Sequence, residues 1–494
     1  MLKKITDAID DHLNPIVVRE LRQAVQSRLL AGILMLFLLI MLLAMAAAVT
    51  TDSFLSAANH RTGGMGRDTF EALFGILVFA TILFVPGYTG IRMGMERSAE
   101  NMDLLFSTAI SPGAVIRGKL YAGMVISLLF FSVCLPFMTF TYFLRGVDLP
   151  SVFITLSMAF IGITAAIQFA LCMGCNSSNR LAGMVLILIT FGLLISGGSA
   201  IMGTAKDMLR SGIGSRIGTG DFWMTASLGL LLTGLFMGLF YVLAKANISP
   251  SSANRALGIR LYICSVWLIC GGLAFAYGHH YRIYAGVEVW FFFSVSVFCF
   301  AFLYAVSEKD ELSPRVRAAI PRMKILRIPA FFLYSGAASG IAWIFLMTGL
   351  TFLIMFFQKD SIPGISSKDL KIAAGFFLYS CSYAQTGLFI RRTLLARWVR
   401  TKYTWIVVLC VLLTVCISPF LYSALISSSS RPNVLLGNVF SFINKPRKTE
   451  HFSFALTWVL LISGLNFPWF IRQMSEFLPS GSYKTLTVLK KNTE

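Results

Sequence analysis

Along the chain, apolar stretches of about 20 residues alternate with short polar turns, the pattern of helices that cross a bilayer. Twelve spans are predicted: Leu29 to Val49, Phe70 to Met93, Leu120 to Leu144, Ser151 to Cys175, Leu181 to Met202, Trp223 to Ala244, Leu261 to Tyr277, Ala285 to Val306, Pro329 to Phe357, Ile372 to Phe389, Tyr403 to Ile426 and Phe452 to Ile471. The seventh and tenth carry the weakest signal. Pro86, Pro136, Pro419 and Pro468 fall inside spans, which a membrane helix tolerates because its neighbours re-satisfy the freed backbone groups. The predicted fold is an all-α polytopic membrane protein of about twelve transmembrane helices in two sets of six. Residues 1–28 precede the first set at 29–245, a polar linker at 246–260 leads to the second at 261–472, and 473–494 form a tail.

Composition excludes the alternatives. Hydrophobic residues make up 56% of the 494 and charged ones only 13%, against roughly 25% charged in a soluble domain. A soluble enzyme, a disordered chain and a collagen-like repeat are all ruled out. Lys and Arg number 42 against 22 Asp and Glu, a net charge of +20, but the cations are scattered through short loops. That placement fits the positive-inside bias and argues against nucleic acid as a partner. Taking alternate loops, the cations favour the side holding both termini by about two to one, so both termini are expected in the cytoplasm. The loops 309–327 and 391–402 are the richest. The acidic residues Asp7, Asp10, Asp11 and Glu20 make the first 28 residues unlike a signal peptide.

Two cytoplasmic segments stand out. Asn14 can cap a helix whose first residue is Pro15, with Val17, Val18, Leu21, Ala24 and Val25 on an apolar face and Arg19, Glu20, Arg22, Gln23 and Gln26 opposite. Such a helix is expected to lie on the membrane surface. The loop after the second span holds Glu96, Glu100, Asp103, Leu104 and Leu105, then Ser111-Pro112 restarts the chain into the third span. Acids at its start and apolar side chains along one face predict a short, rigid cytoplasmic helix, either a docking element or an ordinary charged surface helix between spans. The second half repeats the acid-then-Ser-Pro order at Glu308 to Pro314, with different spacing.

The order Asn14-Pro15, Arg19-Glu20-Leu21-Arg22, Glu100, Leu104-Leu105, Ser107, Thr108, Ile110, Ser111-Pro112 and Gly118-Lys119 resembles the permease subunits of ABC-2 exporters over about the first 245 residues. The resemblance implies that residues 15–25 are an elbow helix and that the segment near 96–112, including Glu96, Glu100, Leu104, Leu105, Ser111 and Pro112, is a coupling helix. That helix would dock on a cytoplasmic ABC ATPase subunit. It also implies an inner (cytoplasmic) membrane location and a homodimer or second permease as a further partner. The sequence has no Gly-x-x-x-x-Gly-Lys-Ser/Thr loop, so the chain is not expected to be an enzyme or to hold a cofactor; ATP and Mg would belong to the partner subunit.

Polar residues inside spans are the remaining candidates. Glu288 lies near the outer end of its span, while Gln168 and Gln385 can hydrogen-bond between helices. Cys172-x-x-Cys175 has the spacing of a metal pair but lacks a second pair or a nearby His, and reads as packing. No catalytic or metal-binding set is expected. Two sets of six spans also suit an ion-coupled secondary transporter, the competing reading.

Overall fold

The computed structural model describes residues 15–58, 65–96, 111–144, 147–176, 180–212, 217–250, 252–358, 366–425, 436–444 and 449–481. The chain is an all-α, polytopic membrane protein, with no strand among the described residues. Eleven helices among them are long and apolar enough to cross a membrane. The chain divides into two compact units, Met1–Pro250 and Ser251–Glu494.

In the first unit a short helix, α1 (Pro15–Val25), leads into α2 (Arg28–Ala58), α3 (Met65–Glu96), α4 (Pro112–Phe143), α5 (Leu149–Asn176), α6 (Arg180–Ser211) and α7 (Gly220–Ile248). Phe70, Phe74, Leu77 and Ile82 of α3, Phe130 and Met138 of α4, and Ile163 and Ile167 of α5 are buried together. Lipid gives apolar helices no reason to associate, so close backbone approach has to hold them. It does so where α3 crosses α5. A Cβ on Gly90 would stand 2.8 Å from the Ala170 carbonyl oxygen, and one on Gly174 would collide with the carbonyl of Gly90. The outward side of α2 carries exposed Leu36, Leu39, Leu42 and Leu43, as a lipid-facing surface requires.

The second unit contains α8 (Arg255–Tyr281), α9 (Ala285–Ala305), α10 (Pro314–Ala318), α11 (Lys324–Leu333), α12 (Ala337–Gln358), α13 (Ser367–Thr393), α14 (Thr404–Leu425), α15 (Val439–Asn444) and α16 (Thr449–Ser475). Two sequence expectations change here. The predicted span Pro329 to Phe357 is broken: α11 ends at Leu333, Tyr334 is extended, and α12 starts at Ala337. The predicted tenth span is the long helix α13, which among the described residues is the one long helix outside the eleven apolar ones. Its residues Phe377, Tyr379, Cys381, Ser382, Tyr383, Gln385 and Leu388 are buried. A helix wrapped by protein touches little lipid and can carry polar groups that an outer helix cannot.

Candidate functional site

Residues 15–25 form a helix from Pro15, as the proline at its first position favours. Its orientation differs from the helical-wheel expectation. The buried stripe is Val17, Glu20 and Ala24, so Glu20 lies on the inner face, while Val25 is exposed and Arg19 and Arg22 point to solvent or lipid. A carboxylate on that face needs a cation, because an unpaired buried charge costs several kcal/mol.

Glu20 finds two. Lys119 Nζ, two turns into α4 and only 4% exposed, lies 2.8 Å from Glu20 Oε1 and 2.8 Å from Glu96 Oε2. Arg92 Nε lies 3.3 Å from Glu20 Oε2 and 3.4 Å from Glu96 Oε1. Two carboxylates and two cations therefore alternate around a closed ring, each carboxylate oxygen facing one cation. Arg92 also donates to the Tyr88 hydroxyl at 2.6 Å and to the Gln23 side-chain oxygen. The ring joins three pieces of chain: α1, the last turn of α3 and the first turns of α4.

The entry into α4 is held independently. Ser111 caps the helix, its hydroxyl accepting from the Ala114 N–H, and Pro112 occupies the first position. Arg117 donates to the Tyr241 hydroxyl of α7 at 3.0 Å, and a Cβ on Gly113 would sit 2.6 Å from that same oxygen. Residues 97–110 are thus bracketed by Glu96 in the ring and by a capped, packed helix start. Asn14, Glu100, Leu104 and Leu105 lie outside the described residues.

Sequence reasoning missed Arg92 and Tyr88. The signal was available: Tyr88, Arg92 and Glu96 recur every four residues at the end of an apolar run, which places them on one helix face.

The second unit has its own polar knot. Arg260 of α8, 3% exposed, reaches Glu308 just past α9, with Nη2 2.8 Å from Oε1 and 2.7 Å from Oε2. Its Nη1 donates to the carbonyls of Phe332 at 2.9 Å and Tyr334 at 2.7 Å, and to the Ser339 hydroxyl at 3.0 Å. Glu308 also accepts from the Gly336 N–H at 2.6 Å. A Cβ on Gly340 would sit 2.8 Å from the Ala305 Cβ and 3.0 Å from Arg260 Nη2, so glycine is needed for α12 to pack there. Burial pushes the Glu308 carboxyl above the usual carboxylate range, against the opposing pull of Arg260 and the Gly336 N–H. Ser313 caps α10 through the Val316 N–H.

The polar residues predicted inside spans do not converge. Glu288 sits half-buried in the first turn of α9, where it complements the helix dipole. Gln385 joins α13 to α16: its oxygen accepts from the Ser463 hydroxyl at 2.7 Å, and its backbone carbonyl accepts from Asn466 at 3.2 Å. Gln168 is buried in α5 with no hydrogen-bond partner for either amide atom among the described residues. Cys172 and Cys175 are buried at the end of the same helix.

No family model, curated protein or solved structure matches the chain. Its chemistry therefore has to be read from its own geometry. The ring carries no net charge, and each of its acids faces both cations.

Proposed function

We propose that this chain is the permease subunit of an ATP-driven exporter of the ABC-2 kind. It would sit in the inner (cytoplasmic) membrane with both termini in the cytoplasm and draw energy from a separate ATPase subunit that binds ATP and Mg. One observation supports the reading above the others. The ring of Glu20, Lys119, Glu96 and Arg92 fastens the elbow helix to both helices that bracket residues 97–110. A displacement of that segment by a docked ATPase would be passed to α3, α4 and α1 together, because moving one of them alone separates opposite charges, of which Glu20 and Lys119 are buried and Arg92 and Glu96 half-buried. ATP-dependent closure would then shift the spans between inward and outward arrangements through contacts that differ between the two.

The test is affinity purification of the tagged chain in mild detergent, followed by ATP hydrolysis assays. An ATPase should co-purify, and its hydrolysis should rise in the presence of the chain. The double substitution Glu100→Lys with Leu105→Asp should reduce association by about thirtyfold, the effect of losing roughly 2 kcal/mol at a docking anchor. Purification of the wild type without any ATPase would favour the ion-coupled secondary transporter.

A further inference from the structure

The two most basic loops of the second unit meet at one end of its bundle. Arg391 at the end of α13 lies 3.1 Å from Asp310, and the Trp405 N–H donates to the Ser307 hydroxyl at 3.1 Å. Residues 309–327 hold six cations against two acids, and residues 391–402 hold five cations and no acid. Asp310 faces Arg391, so part of this charge is balanced internally. Arg315, Arg322, Lys324, Arg397 and Arg400 project outward.

Apolar side chains stand exposed among these cations. Helix α11 presents Ile325, 82% exposed, and Ile328, 65% exposed, one turn apart. Its opposite side packs inward through Ala330 and through Phe331, which meets Phe477 edge-on at 5.5 Å. The 391–402 segment adds Trp398 at 86% exposed and Leu394 at 74%. The break between α11 and α12 at residues 334–336 frees α11 from continuing the direction of the span. A short amphipathic helix with cations beside its apolar stripe, and an exposed Trp at the same end of the bundle, have the chemistry of a surface that enters the headgroup layer of an anionic membrane.

We infer that this end of the second unit is a binding surface for anionic phospholipid. Ile325, Ile328 and Trp398 enter the acyl boundary, and Arg322, Lys324 and Arg397 engage headgroup phosphates. The occupant is the bilayer itself because the helices beside the surface are membrane spans, and because its charge is opposite to that of an anionic leaflet. The reading does not depend on the exporter proposal: it needs only a multi-pass chain in an anionic membrane.

The experiment uses the full chain in nanodiscs of phosphatidylcholine, with and without phosphatidylglycerol. An environment-sensitive fluorophore is placed at Ile325→Cys, and the signal of the unsubstituted chain labelled in parallel is subtracted. Emission should shift to the blue and be quenched by a lipid-borne quencher when phosphatidylglycerol is present. In detergent, the triple substitution Arg322→Gln, Lys324→Gln and Arg397→Gln should weaken retention of added phosphatidylglycerol by about a hundredfold, at about 1 kcal/mol per cation, with phosphatidylcholine retention unchanged. Quenching at position 325 by aqueous iodide in anionic discs would overturn the inference and mark the surface as open to a soluble protein. An unchanged preference for phosphatidylglycerol in a triple variant that still elutes as a single species would also overturn it. Should that variant fail to fold, the fluorophore on the otherwise unaltered chain decides alone.

Discussion

The first unit closes its acid-then-Ser-Pro region with Glu96, and the second closes the corresponding region with Glu308, but the two acids are satisfied in different ways. Glu96 belongs to a ring of four charged side chains drawn from three helices. Glu308 meets a single guanidinium, Arg260, which is also held by the carbonyls of Phe332 and Tyr334 in the turn between α11 and α12. Side-chain ion pairs can exchange partners when helices shift. A guanidinium gripped by backbone carbonyls cannot move without opening that turn. The difference teaches that one sequence pattern can yield a joint in one place and a clasp in the other, according to whether backbone groups take part.

Removing the clasp is expected to have the largest effect. Arg260→Ala leaves Glu308 buried and the Phe332 and Tyr334 carbonyls without their donor, and should destabilise the second unit by about 3 to 5 kcal/mol. A fall in the thermal midpoint of the detergent-solubilised chain, with easier proteolysis at the 334–336 turn, would record it. Next comes Lys119→Met, expected at about 2 to 3 kcal/mol, because Arg92 still faces both carboxylates. If Lys119→Met were as damaging as Arg260→Ala, the proposed contrast between joint and clasp would fail.

A smaller effect, about 1 kcal/mol, is expected for the coupling between Arg92 and Glu20 in a double-mutant cycle of Arg92→Gln and Glu20→Gln. Arg92 is partly exposed, and water screens its share of the ring. Simple additivity would show that the two side chains are neighbours without acting as a unit.

The smallest effect is a pH dependence. Because burial raises the Glu308 carboxyl pKa, this group's contribution to stability is fully present below the pKa of the unfolded chain. It declines as pH rises through the raised folded value. The thermal midpoint of the wild type, measured against Glu308→Gln, should therefore be most favourable at pH below the ordinary carboxylate range and fall as pH rises through the raised folded value. A difference that grows with pH would mean that the pull of Arg260 outweighs burial.

How much of this was legible in the sequence follows from how local each signal is. Span positions, the helix beginning at Pro15 and the Ser111 cap depend on neighbouring residues and can be read directly. The inward turn of Glu20 cannot, since its partner Lys119 lies 99 residues away and a helical wheel sends every carboxylate outward. Arg260 likewise meets carbonyls 72 and 74 residues downstream. The α13 span gave a weak signal because hydropathy measures suitability for lipid, and this helix is covered by protein. The break at residues 334–336 falls at Ser335-Gly336, a turn dipeptide that an average of hydropathy over the whole run hides.

The ring of Glu20, Lys119, Glu96 and Arg92 is proposed to transmit movement between residues 97–110 and the spans. That role is tested most directly by permease-stimulated ATP hydrolysis with Lys119→Met. If residues 97–110 dock an ATPase as proposed, the ATPase should still co-purify with Lys119→Met at the wild-type ratio, because Lys119 is buried, while stimulation of hydrolysis is lost. Full stimulation by a properly folded Lys119→Met chain would contradict it.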